Sequence, residues 1–444
     1  MKEEGTVSSR PVTLGPAIAV VVGNMVGTGV FTSLGYQLVD IQSGFVLMLL
    51  WGLGGGCALC GALCYGELAA AFPRSGGEYH LLSRVYHPLL GFLAGWISVT
   101  VGFAAPIALG AMAFGTYFSS ALSFEGEAWA VALSVAVVLG VAGIHLRPIR
   151  LGAQFQSVFT ALKALCIVVL VVACFLLGEG QEISFLPREG DLALLFSAEF
   201  AIALIFVMYA YTGWNAATYI VDEVQDPQRT VPRALLVGTT LVTLLYIGLN
   251  GGFLYSAPID SMMGEIEVAK VAADHVLGET GGRMMAGLIS FGLISMLSAS
   301  IWVGPRVAQR MGEDFRGLHL LARKSGSGIP ANAVLLQAGI AVALILTSSF
   351  EQVLVYIELL LVLFALVTVA GVFRLRICHP ERVRPVKAWG YPVTPAFFVV
   401  INVWMIVYIV REKPEEALWG LGTLMLGGVV YFIAQRRGTL ADRA

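Results

Sequence analysis

GNMVGTGVF at residues 23–31 and YAYTGWN at residues 209–215 are glycine-rich stretches inside hydrophobic segments, about 185 residues apart. Each segment is long enough to cross a bilayer, which takes about 20 apolar residues. Glycine weakens a helix by about 1 kcal/mol relative to alanine, and broken backbone is tolerated at membrane depth only where it is buried in protein or lines a cavity. The sequence therefore predicts two discontinuous helices, which in two halves of a chain are typical of a secondary transporter's binding site.

The composition predicts an all-α integral membrane protein. Of the 444 residues, 57% are hydrophobic and only 13% are charged, and the mean hydropathy is +0.82. Hydrophobic windows recur along the whole chain and predict twelve transmembrane helices at 14–36, 44–70, 89–118, 128–146, 153–178, 192–221, 234–256, 284–305, 331–349, 352–373, 392–410 and 416–435.

The cationic residues predict the orientation of the chain. Of the 27 lysines and arginines, 21 fall on the side that holds both termini, 5 fall on the opposite side, and Lys163 lies inside a span. Cytoplasmic loops are enriched in lysine and arginine, so we expect both termini in the cytoplasm and a multi-pass position in the plasma (inner) membrane. The net charge of −2 gives no sign of a nucleic-acid partner.

The two breaks also predict the internal symmetry. If spans 1–5 and 6–10 are repeats, five spans per repeat force inverted topology, with the breaks in spans 1 and 6 at similar depth. The expected organisation is an N-terminal cytoplasmic tail, an inverted-repeat transport core, two further spans and a C-terminal tail, at 1–13, 14–376, 377–437 and 438–444.

The first break has the chemistry to hold a zwitterion. Gly27, Thr28 and Gly29 leave backbone N–H groups free at the start of a half-helix, which binds anions such as a carboxylate. The preceding half-helix ends near Asn24 and Met25, whose carbonyls suit an ammonium group.

The second break adds carbonyls from Tyr209, Ala210 and Thr212 for the same ammonium. The alternative is that the glycines only allow close helix packing. Two breaks in symmetric positions favour the binding interpretation.

Five short motifs resemble those of the amino acid–polyamine–organocation (APC) superfamily, and in particular its L-type amino acid transporter branch in a prokaryotic form. They occur in the family's order over nearly the whole chain: GNMVGTGVF (23–31), FPRSGGEY (72–79), AYTGWN (210–215) with DEVQDPQRTVPR (222–233), GPR (304–306) and WGYP (389–392).

The resemblance implies a LeuT-like fold, with a five-plus-five inverted repeat, discontinuous helices 1 and 6, and alternating access. It implies sodium-independent transport of α-amino acids, with a neutral substrate expected and exchange as the mode. By position, the resemblance implies that Thr28 and Gly29 hold the carboxylate. It also implies that Met25, Tyr209 and Ala210 offer their carbonyls to the amino group. The side-chain pocket and gate are expected at Met25, Ile107, Tyr209, Trp214 and Asn215.

Lys163 is the only cation inside a predicted span, and a buried charge needs partners. In sodium-independent relatives, a lysine on the fifth span stands in for a sodium ion, and Lys163 matches it. Its expected partners are carbonyls around Gly23 and the hydroxyls of Ser295 or Ser298. Glu358, in the tenth span, is a further intramembrane charge, expected to be a gate, a proton site or a residue facing a water-filled vestibule.

Two other transport functions stay open: a proton-coupled amino acid symporter, and a carrier of polyamines or other organic amines. The second needs acidic groups in the pocket, and neither break supplies one.

An enzyme is not expected, because the spans lack a polar cluster at mid-depth, and no cofactor is expected. Cys57, Cys60 and Cys64 share one helical face but suit packing better than a metal. The family's eukaryotic members join a heavy chain through a cysteine between spans 3 and 4, and residues 119–128 contain none. No heavy-chain subunit is therefore expected; the expected partners are the substrate and the bilayer.

Overall fold

The structure is a computed structural model and describes residues 12–124, 126–146, 153–323 and 330–436, with side chains in the third range from residue 160 onward. The described residues form eighteen α-helices. In chain order these are α1 Leu14–Met25, α2 Gly29–Gln37, α3 Gly44–Ala71, α4 Gly77–Val85, α5 Pro88–Ile97, α6 Ala104–Leu122, α7 Glu127–His145, α8 Ala153–Leu177, α9 Asp191–Leu194, α10 Ala198–Tyr211, α11 Pro227–Ser256, α12 Ile259–Met262, α13 Val268–Asp314, α14 His319–Ala322, α15 Ala331–Thr347, α16 Phe350–Cys378, α17 Val393–Glu412 and α18 Pro414–Arg436.

The helices confirm an all-helical membrane protein. Within the described chain, ten helical segments are long and apolar enough to cross a bilayer. Two shorter apolar helices, α10 and α15, lie where the sixth and ninth spans were predicted. Large apolar side chains such as Leu165, Leu176 and Trp419 are more than half exposed, which in a membrane is a lipid-facing surface.

Both predicted helix breaks are present. Helix α1 ends at Met25, residues 26–28 are not helical, and α2 begins at Gly29. Helix α10 ends at Tyr211 and is followed by a turn, in which Gly213 has a φ of +103°. That φ is in the left-handed region, which glycine adopts without steric cost. The helix in the predicted sixth span therefore ends at Tyr211, before the predicted end at residue 221.

The third and eighth predicted spans differ in detail. A π-helical turn at Ser98–Gly102 joins α5 to α6, so the third segment changes its helical phase partway along. Helix α13 is much longer than its predicted span, because a preceding helix joins it across Gly278, whose φ is +73°. This preceding helix packs into the protein, since Val268, Ala269, Ala272 and Ala273 have no exposed surface.

The halves of the two broken helices pack together at the centre of the molecule. Helix α2 packs on α10, and α1 packs on α8 and α11. Helix α13 packs on α6, while α16 lies against both α3 and α10. Helices α17 and α18 pack around this group, α17 on α16 and α18 on α5.

A buried ion pair ties α3 to α16 at one end. Glu67 has no exposed surface, and both of its oxygens accept from the guanidinium of Arg376, at 3.0 and 2.6 Å. The N–H of Ala388 donates to the same carboxylate.

Candidate functional site

A cavity of about 130 Å³ lies between the two helix breaks. Both breaks line it, together with residues from the third, eighth and tenth spans. The predicted binding residues on its wall are Asn24, Met25, Gly27, Thr28, Gly29, Tyr209, Ala210, Thr212, Trp214 and Asn215.

The first break offers a row of backbone donors, shifted by one residue from the predicted set. The N–H groups of Thr28, Gly29 and Val30 donate to no acceptor among the described residues. The N–H of Gly27 already donates to the carbonyl of Met25, at 2.8 Å. The expectation that Gly27 supplies a free donor is therefore wrong in this conformation, because the chain makes a tight turn before α2 starts.

The carbonyl side of the first break is largely occupied. The carbonyl of Met25 accepts from the hydroxyl of Tyr246 at 2.6 Å, in addition to the N–H of Gly27. A carbonyl oxygen has two lone pairs, so the predicted role of Met25 as an ammonium acceptor is also wrong here. The carbonyl of Asn24 instead faces the second break, where it packs against Gly213.

The second break presents acceptors. The carbonyls of Ala210 and Thr212 accept no hydrogen bond from the described residues, whereas that of Tyr209 accepts from the N–H of Thr212 at 3.0 Å. These carbonyls belong to the end of α10, where the helix dipole is negative. This end of the cavity therefore suits a cation.

Two contacts hold the breaks together. The hydroxyls of Thr28 and Tyr209 are 2.9 Å apart. A Cβ placed on Gly29 would lie 2.5 Å from the Cα of Ala210, so Gly29 is required for close approach of α2 and α10. The predicted close packing is therefore present at Gly29, and its N–H has no acceptor among the described residues.

The side-chain pocket matches the prediction except at Ile107. Trp214 lines the cavity and also packs edge-on against Tyr65, with ring centroids 4.7 Å apart. Ile107 has no exposed surface and lies in a separate apolar cluster between α6, α7, α13 and α15. The adjacent Pro106 lines the cavity instead, because the π-helical turn changes the phase of the third span.

Two buried carboxyl groups line the cavity, and the breaks supply neither of them. Glu358 of α16 is 1% exposed and accepts from the hydroxyl of Thr212 at 3.1 Å. Glu78 of α4 accepts from the hydroxyl of Tyr65 and the amide of Asn215. Burial raises the pKa of Glu78 to about 7, and these two hydrogen bonds partly offset the rise.

These acids correct the sequence argument against a cationic cargo. That argument considered only the breaks, whereas the carboxyl groups come from other elements. Glu358 was visible in the sequence as a charge within a span, which by default marks a functional site. Glu78 lies in the motif at residues 72–79, but nothing in its spacing points to the cavity.

Lys163 lies beside the first break, where it contacts one carbonyl near Gly23. Its side chain is 8% exposed, and its ammonium group donates to the carbonyl of Val26 at 3.4 Å. It lines a second, mostly apolar cavity of about 290 Å³.

The predicted serine partners do not contact the ammonium group of Lys163. The stem of Lys163 passes Gly292 of α13, one turn before Ser295. The hydroxyl of Ser295 is buried without a hydrogen-bond partner among the described residues, and that of Ser298 is 2.9 Å from the ring of His145. Among the described residues, Lys163 therefore has a carbonyl near Gly23, that of Val26, and neither serine hydroxyl.

Comparison with known proteins finds amino acid transporters. A family model described as amino acid permease matches residues 14–430. The human b(0,+)-type amino acid transporter 1 is 26% identical over 423 residues, which is 94% of this chain and 86% of the relative. The human large neutral amino acids transporter small subunit 2 is 26% identical over 445 residues, 97% of this chain and 81% of the relative. These matches indicate a transporter and not an enzyme.

Proposed function

This chain belongs to the amino acid permease family, and on that premise we propose that it exchanges α-amino acids across the membrane without sodium, by alternating access. One observation carries the proposal: two helix breaks meet at one cavity, with free donors on the first and free acceptors on the second. An α-amino acid carries the complementary pair of charges.

In this proposal, the substrate bridges the breaks. Its carboxylate accepts from the N–H groups of Thr28, Gly29 and Val30, where the dipole of α2 is positive. Its ammonium group donates to the carbonyls of Ala210 and Thr212. Tyr209, which is hydrogen-bonded to Thr28, closes the cavity beside the substrate.

The proposed architecture has twelve spans, with spans 1–5 and 6–10 as inverted repeats. The ten long segments together with α10 and α15 account for all twelve positions. The uneven distribution of 27 lysines and arginines supports a plasma-membrane orientation with cytoplasmic termini.

Sodium independence is proposed from Lys163. Its ammonium group lies between α8, the end of the first break and α13. A fixed positive charge with three donors can link these elements as a bound sodium ion would.

The name of one relative bears on assembly, since "small subunit" indicates a component of a larger complex. The comparisons therefore give no support to a chain that works alone. The proposal of a stand-alone transporter rests on residues 119–128, which lack a cysteine.

Counterflow in liposomes that contain only this protein tests the proposal. Labelled amino acid should accumulate only when unlabelled amino acid is inside, and equally in sodium and choline buffers. Uptake that increases with sodium, or no counterflow with any amino acid, would overturn it. Net uptake into empty liposomes under a pH gradient would select proton-coupled symport instead, a second candidate that the buried carboxyl groups of Glu358 and Glu78 favour.

A further inference from the structure

Glu358 is a buried carboxyl group without a compensating charge. It lies on the cavity wall, and its Oε2 atom accepts a single hydrogen bond, from Thr212. No described lysine or arginine forms an ion pair with it. The described residues that line the cavity include no lysine, arginine or histidine.

The two other described glutamates that are buried have more hydrogen bonds than Glu358. Glu67 is paired with Arg376. Glu78 accepts from both Tyr65 and Asn215, each time through its Oε1 atom. Glu78 and Glu358 therefore each line the cavity with one oxygen that has no hydrogen-bond partner among the described residues, but Glu358 has a single donor, Thr212.

The surroundings of Glu358 add to its need for a cation. Thr212, its hydrogen-bond donor, caps the end of α10, where the helix dipole is negative and the carbonyls of Ala210 and Thr212 are free. A carboxylate next to this end is repelled. A positive group beside the free oxygen of Glu358 would offset this repulsion, and the carbonyls of Ala210 and Thr212 would stay available to the α-ammonium.

We infer that Glu358 recognises a positive charge on the substrate's side chain, so that the preferred cargo is a basic amino acid with a side-chain ammonium or guanidinium group. This inference rests on the proposed function and narrows its substrate class from the neutral amino acids expected from the sequence. The α-carboxylate keeps the donors of the first break. The α-ammonium keeps the carbonyls of the second break, and Glu358 receives the second cation.

Matched substrate pairs test the inference. Lysine and norleucine, ornithine and norvaline, and arginine and citrulline differ mainly in the side-chain charge. In counterflow, the unaltered protein should prefer the charged member of each pair by about 10-fold or more, as expected for a charge-assisted hydrogen bond. Glu358→Gln should lose that preference while it still transports norleucine.

Glu199→Gln is the matched control, because Glu199 is an exposed carboxylate on α10. It should leave the preference unchanged. The inference is overturned if the unaltered protein handles both members of each pair equally, or if Glu358→Gln weakens both members to the same extent. The second result would assign Glu358 to the shared α-ammonium group or to proton transfer.

The experiment separates this inference from the proposed function. If neutral amino acids are exchanged as well as basic ones, the proposed function holds and the inference fails. If cadaverine, which has no carboxylate, is transported as well as lysine, the proposed amino acid exchange fails while the role of Glu358 in cation recognition holds.

Discussion

The two helix breaks have opposite chemistry. The first, between Met25 and Gly29, presents N–H donors, while the carbonyls of Met25 and Val26 already accept from Tyr246, the N–H of Gly27 and Lys163. The second, after Tyr211, presents carbonyls beside the carboxyl group of Glu358. This difference supports the proposal that an amino acid is held across the breaks, with one charge on each, and not by one broken helix alone.

The largest effect is expected where the breaks touch. Gly29→Ala would place a Cβ 2.5 Å from the backbone of Ala210, so it should separate α2 from α10 and abolish substrate binding. Gly27→Ala is the control, since its Cβ would meet only Met296 at 3.7 Å. It should retain binding within several-fold, as measured by substrate-dependent thermal stabilisation. Equal binding by both variants would show that the breaks need not approach closely.

A large effect is also expected at Lys163, whose ammonium group contacts the first break and not the second. Lys163→Met removes the ammonium donor to Val26 and should slow exchange by about 10-fold or more, as expected for a lost hydrogen bond from a charged group. Substrate affinity should change less than turnover, because Lys163 does not line the central cavity. Full activity of this variant in counterflow would remove the basis for sodium independence.

A smaller effect is expected at Tyr246, which occupies the carbonyl of Met25. Tyr246→Phe removes one of the two donors to that acceptor, which still accepts from the N–H of Gly27, at a cost of about 0.5–1.5 kcal/mol. The melting temperature in detergent should fall. Tyr255→Phe on the same helix is the control, because the hydroxyl of Tyr255 makes no hydrogen bond with the described residues. If both variants melt alike, the hydrogen bond to Met25 is unimportant.

The smallest effect is expected from Glu78, on the side of the second break. Its folded pKa of about 7 lies above the ordinary value of 4.5. The unfolded chain therefore releases this proton first as pH rises, so the group's contribution to stability is present below pH 4.5 and is lost through pH 7. Glu78→Gln should make melting temperature less dependent on pH between about 5 and 8. Glu189→Gln, in an exposed loop, should not; an unchanged pH profile in Glu78→Gln would contradict the assignment.

The sequence predicted the features that are local in the chain. Glycines within apolar segments locate both breaks, and hydropathy locates the spans. The sequence could not predict which backbone groups at the breaks already have hydrogen-bond partners within the protein, because Tyr246 reaches Met25 from 221 residues away. Glu358 reaches Thr212 from 146 residues away, so the acidity of the cavity depends on how α16 packs. The error at Ile107 comes from one π-helical turn, which rotates every later residue of that span about the helix axis.

The central claim is that both charges of an amino acid are bound, one at each break. Competition in counterflow tests it directly, with the best-transported amino acid, its amide and its des-amino acid as competitors. The amide lacks the carboxylate that the first break binds, and the des-amino acid lacks the ammonium that the second binds. The account predicts that only the intact amino acid competes. Equal competition by either derivative would contradict it.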